Sequence, residues 1–340
     1  MKVTIPKPNA MGGMYGSKYD EKFFANLWKE NLIDKCPDVD FVQIDQAEYR
    51  NIPELVDKEK DINAMIGVWI TDDLFNEEFL SAHPSLKYAA TTAHGFGRID
   101  KEACKKHGFT VTNTVYGDVT IAQYAMALLL DICHSVEIHD DYYKNKKWLP
   151  ENTGKRGAVL TPQIELYEKT FGVLGLGNIG LCAARMAAGF GMKVIAYSRH
   201  KKVGPEYDFI EQVSLDELYE RSDVISIHCP LTDETKNMVD KEAFEKMKDG
   251  VIIINTARGA IIDETELVKA LNSGKVYAAG LDVVAGEPLQ EPCELMKCKN
   301  TRITEHIAWA PVESRIRSIK IACQNFINWK EGHPTSVVSA

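Results

Sequence analysis

The strongest constraint on the fold is a run of short, uninterrupted apolar segments in the second half of the chain. "KTFGVLGLG", "KVIAYS", "VISIHCP", "GVIIINTA" and "VYAAGLDVV" show almost no alternation of apolar and polar positions. A strand with one wet face alternates and a strand buried on both faces does not, so these segments read as strands of a sheet covered on both sides. Between them lie the helical patterns "LCAARMAAGFG", "SLDELYERS", "KEAFEKMKDG" and "DETELVKALNSG". Strands alternating with helices in this way need crossover connections, which predicts an α/β fold with a parallel sheet. A second series precedes the first: "FVQI", "AMIGVWI", "KYAATTA" and "FTVTNT" alternate with "DEKFFANLWKENL", "NEEFLSAHP" and "DKEACKKHG".

Two such series in 340 residues imply two domains, each able to bury its own core. The strongly helical "DVTIAQYAMALLLDICHSVEIHDDYYKNKKW" separates them, the loop-like "LPENTGKRGAVLTPQ" follows it, and a boundary belongs near Asn113 to Asp118. The final "VESRIRSIKIACQNFINWKEG" has helical period through Ile316, Ile319, Ile321 and Phe326 and can dock on either domain.

Composition narrows the function classes. Asp and Glu number 49 against 40 Lys and Arg, a net charge of -9, whereas a general nucleic-acid or anionic-membrane binder needs a basic face. The longest apolar stretch, "IAQYAMALLLDIC", is too short and too polar to span a bilayer. The opening "MKVTIPKPNAMGGMYG" is broken by Pro6, Pro8 and glycines and lacks the order of a leader. Eight scattered cysteines follow neither a secreted-domain nor a zinc spacing. The expectation is a soluble cytoplasmic protein with reduced thiols, no metal, and no nucleic-acid or membrane partner.

In "FGVLGLGNIG" Gly175, Gly177 and Gly180 form G-x-G-x-x-G directly after a buried strand and directly before a helix, with Asn178 and Ile179 inside the motif. The first glycine permits the tight turn, the second lets backbone approach a pyrophosphate, and the third allows close packing of helix on strand. Dinucleotide phosphates would sit at the helix N-terminus. About eighteen residues on, where an acid would accept hydrogen bonds from the ribose hydroxyls, stand Ser198, Arg199 and His200 in "VIAYSRHKK". A guanidinium and a hydroxyl can donate to a 2′-phosphate, so the expected cofactor is NADP. The alternative is NAD bound through other contacts beside a solvated basic turn.

Further along, "NTARGAIIDETELVKAL", "AGLDVVAGEP" and "TEHIAWAP" follow the glycine motif in order, with "NTVYGDVTIAQYAMALLLDI" and "HCPLTDETKNMV" around them. Together these resemble the D-isomer-specific 2-hydroxyacid dehydrogenase family, most closely its glycerate dehydrogenase and hydroxypyruvate reductase branch. The resemblance implies two Rossmann-like domains, with a discontinuous substrate domain of residues 1–113 and 307–340 around a dinucleotide-binding domain of residues 114–306. It implies a homodimer through the cofactor domain, and hydride transfer between a 2-oxoacid and a D-2-hydroxyacid. Hydroxypyruvate or glyoxylate is the plausible substrate, and a bulkier 2-oxoacid is the alternative. Corepressor relatives that use this fold as a nucleotide-sensing binding module supply a reading of a different class.

The same resemblance carries site residues. Arg258 in "NTARG", Glu287 in "GEP" and His306 in "EHIAW" match the catalytic three. Arg258 would clamp the substrate carboxylate and polarise its carbonyl. His306 would give the proton to the developing alkoxide, and Glu287 would orient the imidazole and favour its charged form. Thr256, Ala257 and Asp282 match positions near the nicotinamide, though Asp282 can instead hydrogen-bond neighbouring backbone. His228, Cys229 and Pro230 match the edge of the adenine or ribose. His94, Gly95 and Phe96 in "TTAHGFGRID" match a substrate loop whose backbone N–H groups meet the carboxylate. Two features depart from the family pattern, and a third separates the chain from formate dehydrogenases. Glu305 replaces a proline before His306, Gly97 and Arg98 replace polar residues and leave substrate size open, and Glu287, where formate dehydrogenases have Gln, argues against that activity.

Overall fold

The computed structural model describes residues 1–8, 17–59, 61–146 and 159–340. Residues 147–158, which hold most of the expected loop after the long helical segment, lie outside the described residues. The chain forms two units, Met1–Gly117 with Ala310–Ala340, and Asp118–Trp309.

The first unit is built on a five-stranded parallel sheet. Its strands are β1 (Lys2–Pro6), β2 (Asp40–Ile44), β3 (Ala64–Ile66), β4 (Tyr88–Ala90) and β5 (Thr110–Thr112), in the order β2-β1-β3-β4-β5. Sequence patterning anticipates β2 to β5 but not β1, because five residues running into two prolines are too few to show a period. Yet β1 is an interior strand whose Val3 and Ile5 are wholly buried. The C-terminal helix Val312–Lys330 belongs to this unit. Its Val312, Ile319, Ala322, Cys323 and Phe326 pack with Val3, Ile5, Trp28 and Tyr88. The last residues run beside β5, where Val338 N donates to Val111 O at 2.9 Å.

The second unit carries a seven-stranded parallel sheet: β6 (Thr170–Leu174), β7 (Lys193–Tyr197), β8 (Glu211–Gln212), β9 (Val224–Ile227), β10 (Val251–Asn255), β11 (Val276–Leu281) and β12 (Thr301–Ile303). Their order is β12-β11-β10-β9-β6-β7-β8. All residues of β9 and β10 are buried, as their uninterrupted apolarity requires. The long helical segment divides into Asp118–His134 and Val136–Lys146, with Ser135 at φ 45° between them. The first of these buries Ala122, Ala125 and Leu129 beside Phe171 and Val173 of β6. Among the described residues no single helix is long and apolar enough to cross a membrane.

The unit boundaries fall after Gly117, inside the expected Asn113 to Asp118 region, and after Trp309, three residues beyond 306. Hydrogen bonding gives the reason. Asn113 N donates to Ser336 O and Thr114 N to Ala93 O, which keeps both residues in the first unit. Ile307 and Ala308 donate their backbone N–H groups to Asp282, which keeps them in the second.

Candidate active site

All strands of a parallel sheet end at one edge, so the segments that follow them are neighbours in the order of the strands. In the second unit that order sorts the sequence-predicted residues. His306 follows β12, Asp282 and Glu287 follow β11, and Thr256, Ala257 and Arg258 follow β10. His228 to Pro230 follow β9, the glycine motif follows β6, and Ser198 to His200 follow β7. The chain leaves β6 for β7 on one side and later returns to β9 on the other. This reversal is where open α/β sheets bind ligands, and the glycine turn stands on it.

The three glycines have different physical reasons. Gly175 has φ 103°, and a Cβ there would sit 2.5 Å from Cys229 N. A Cβ on Gly180 would sit 2.2 Å from Gly175 O. Both are therefore required by the protein's own packing. Gly177 has an ordinary φ of -87°, and a Cβ there would meet nothing within 4 Å. The space it leaves open faces whatever approaches from outside. Gly177 also caps the helix Asn178–Gly189, which has no side-chain cap and no acid in its first turn. Six other helices are capped by Asp20, Asn76, Asp100, Ser214, Asp240 and Asp263, while Ile52–Lys58 and Val312–Lys330 also lack a side-chain cap. A bare N-terminus beside an open glycine fits a bound phosphate. Thr256 adds a buried hydroxyl with no hydrogen-bond partner among the described residues, at the end of β10. These features fit a dinucleotide.

Around Arg258 the backbone is held by Asn255, whose side chain accepts from Ala257 N at 2.9 Å and donates to Arg258 O at 2.9 Å. Gly259 then packs directly on the backbone of Val284 and Ala285, where a Cβ would come within 2.0 Å of Val284 C. That contact brings the β10 segment against the β11 segment that carries Glu287. Burial lowers the Arg258 pKa from its ordinary value and the Glu287 charge opposes the shift; a guanidinium keeps its proton under such conditions. His306 Nδ1 lies 2.8 Å from Glu287 Oε1. Its Nε2 forms no hydrogen bond among the described residues, which leaves that nitrogen available to a substrate.

Asp282 is fully buried, and its carboxylate is committed to the next segment. Oδ1 accepts from Thr304 Oγ1 at 2.6 Å and from Ile307 N at 2.9 Å, and Oδ2 accepts from Ala308 N at 2.8 Å. Its backbone O also accepts from His306 N at 2.8 Å. Burial raises the Asp282 pKa, against the pull of these hydrogen bonds and of His306. Asp282 thus hydrogen-bonds neighbouring backbone, one of the two roles open to it from sequence, and it positions the loop that holds His306 at φ 52°. Sequence reasoning also missed Asn255 and Thr304, whose only signal was an amide or hydroxyl at the end of a strand.

On the other side of β10, His228 Nε2 turns back to Ser226 Oγ at 2.8 Å, and burial pushes its pKa down to about 4. Burial raises the Cys229 thiol to about 11, and Pro230 is exposed. The Ser198 hydroxyl donates to His200 O at 2.8 Å, and Arg199 Nη1 lies 3.0 Å from Glu234 Oε2. Neither group is unengaged in this structure.

His94, Gly95 and Phe96 belong to the first unit, in the segment after β4. Asn113 Nδ2 donates to His94 O at 2.8 Å, and the N–H groups of Gly95 and Phe96 find no acceptor among the described residues. Gly97 N donates to Ile70 O at 2.8 Å, and a Cβ on Gly97 would lie 2.3 Å from Thr71 C. Arg98 pairs with Asp73. Gly97 and Arg98 thus anchor this segment to the one after β3, which is a sufficient reason for both.

A model of the NAD-binding domain of D-isomer specific 2-hydroxyacid dehydrogenases matches residues 126–308, more than half of the 340. The chain belongs to the D-isomer-specific 2-hydroxyacid dehydrogenase family. It is similar to a hydroxypyruvate reductase of Blautia hydrogenotrophica, 44% identical over 75% of this chain and 79% of that protein. A glyoxylate reductase of Korarchaeum cryptofilum is 34% identical over 95% of this chain and 92% of its own. The solved glyoxylate reductase of Paecilomyes thermophila superposes with a TM-score of 0.78 at 26% identity, covering 99% of this chain and 97% of that one. As a 2-hydroxyacid dehydrogenase the protein is an oxidoreductase acting between 2-oxoacids and D-2-hydroxyacids, with an NAD(P)-binding domain in its second unit.

Proposed function

We propose that this dehydrogenase reduces a short 2-oxoacid, hydroxypyruvate or glyoxylate, with NADPH preferred over NADH. The observation that carries the catalytic assignment is the His306–Glu287 pair at 2.8 Å, whose members follow β12 and β11 while Arg258 follows β10, the next strand in the sheet. A nicotinamide held at this site would supply the hydride that the substrate's C2 takes up. Arg258 holds the substrate carboxylate with its planar donor fork and polarises the carbonyl. His306 gives its Nε2 proton to the oxygen as negative charge develops there, while Glu287 stabilises the imidazolium through Nδ1. In the oxidative direction the neutral ring accepts the same proton. Asp282 holds the His306 loop so that no reorganisation is needed during the reaction. Gly175, Gly177, Gly180 and the first turn at Asn178 and Ile179 hold the pyrophosphate, Thr256 and Ala257 lie toward the nicotinamide, and His228 to Pro230 lie toward the adenosine. The backbone N–H groups of His94, Gly95 and Phe96 are assigned to the substrate carboxylate.

Arg199 is assigned to the 2′-phosphate, with Ser198 and His200 beside it. A carboxylate is missing at the end of β7, so that strand supplies no acid to take the ribose hydroxyls in place of a phosphate. Names of the similar proteins favour the short substrates. We assign the chain to a cytoplasmic homodimer. All eight cysteines are free thiols. The second unit also exposes an apolar face in which Leu130, Ile164, Tyr167 and Phe190 line one hollow and Val136 and Val159 line the next, with His134 and Gln163 shared. The test is a panel of glyoxylate, hydroxypyruvate, pyruvate and phenylpyruvate with each reduced cofactor, with light scattering for mass. Highest kcat/KM for phenylpyruvate, or equal use of NADH, would overturn the corresponding assignment.

A further inference from the structure

The acid absent from β7 has a counterpart elsewhere. Glu234 lies in the segment after β9, and its Oε2 is 3.0 Å from Arg199 Nη1. β7 and β9 are the two neighbours of β6, so a contact between the segments that follow them crosses the end of β6, where the glycine turn stands. The Arg199–Glu234 pair therefore spans the place where the adenosine end of a dinucleotide would lie.

The segment holding Glu234 is well fixed. Thr235 Oγ1 donates to Pro230 O at 2.7 Å and accepts from Thr232 N at 2.8 Å. Lys236 N donates to Thr232 O at 2.9 Å, and Asn237 N donates to Ala260 O at 2.9 Å. The carboxylate is thus presented from a braced turn, while Arg199 reaches it from a basic stretch that also holds His200, Lys201 and Lys202.

We propose that Glu234 is a cofactor-selecting residue that works through Arg199. It supplies from the β9 side the carboxylate that β7 lacks, and it competes with a 2′-phosphate for the same guanidinium. When the cofactor carries the phosphate, Arg199 must leave Glu234, and the carboxylate then stands as a like charge near a dianion. When the cofactor lacks the phosphate, the pair stays intact. Both side chains of the pair are 69% exposed, so the contact is weak in itself and readily exchanged. Glu234 thereby moderates the preference for NADPH and keeps NADH usable. The proposal rests on the assignment of Arg199 to the 2′-phosphate.

The experiment is equilibrium titration of NADPH and NADH, by quenching of protein fluorescence, into the full-length protein and its Glu234→Gln, Arg199→Ala and doubly substituted forms. Glu234→Gln should tighten NADPH roughly three- to tenfold, the size expected from freeing a surface cation and removing a like charge, and leave NADH within about twofold. In the Arg199→Ala background the same change should have less than about half that effect on a logarithmic scale. Unchanged or weaker NADPH binding in Glu234→Gln, with Arg199→Ala weakening NADPH, overturns the role of Glu234 and leaves the Arg199 assignment standing. Unchanged NADPH binding in Arg199→Ala overturns that assignment and the proposal with it. Melting curves of each form show that a change in binding is not a change in folding.

Discussion

Gly177→Ala separates a glycine needed for folding from a glycine needed for binding. At this position φ is -87° and ψ is -165°, both open to alanine, and the added Cβ meets no atom within 4 Å. The unfolded chain loses freedom, which favours the variant by about 0.4 to 1 kcal/mol, and alanine caps a helix less well than glycine, which costs about as much. Stability should therefore change by less than about 0.5 kcal/mol. Cofactor affinity should not survive. A methyl group in the approach to the first turn of Asn178–Gly189 displaces the pyrophosphate from backbone N–H groups, and losing one charge-assisted hydrogen bond weakens binding by about 1.5 to 3 kcal/mol, or ten- to a hundredfold. Gly175→Ala is the contrasting control. Its Cβ would strike Cys229 backbone at 2.5 Å with φ at 103°, so it should melt well below the unmodified protein. The assay is thermal melting together with titration of both cofactors. Native-like cofactor affinity in Gly177→Ala refutes the phosphate cradle, and a large drop in its melting temperature refutes the claim that the space is open.

His306→Gln should lower kcat for 2-oxoacid reduction by about 100-fold or more with little change in cofactor binding, and near-native turnover would assign the proton to another group. Glu287→Gln removes the carboxylate that lies 2.8 Å from the imidazole and stabilises the imidazolium, so kcat should fall by about tenfold or more with cofactor binding little changed; near-native kcat makes Glu287 dispensable to the proton transfer. Arg258→Lys keeps the charge and loses the fork, and kcat/KM should fall steeply in a way that added salt does not reproduce. His228 has its pKa depressed to about 4 from 6.5, so the unfolded chain takes up a proton that the folded protein refuses. Its contribution is intact above pH 6.5 and is lost as pH falls from there toward about 4, by up to about 3 kcal/mol, and His228→Gln should show a smaller loss of stability over that window in urea titrations.

Local chemistry was legible without coordinates wherever one short stretch carries its own reason. Unbroken apolarity marks β9 and β10 as covered on both faces, and strand, glycine turn and helix follow one another in "FGVLGLGNIG". The order of "NTARG", "GEP" and "EHIAW" marked Arg258, Glu287 and His306 through resemblance to a family. Tertiary structure decided what depends on which strands are neighbours. It paired His306 with Glu287 across 19 positions, and it tied Asp282 to the His306 loop that it braces. It placed the C-terminal helix in the first unit and fixed the unit boundaries at Gly117 and Trp309. It also joined Arg199 to Glu234 across 35 positions, because β7 and β9 flank β6. The physical reason is one of range. Periodicity, turn preference and steric need act over a few residues and are written in them, whereas a hydrogen bond between two loops exists only after the sheet has fixed its strand order, and no local pattern encodes that order.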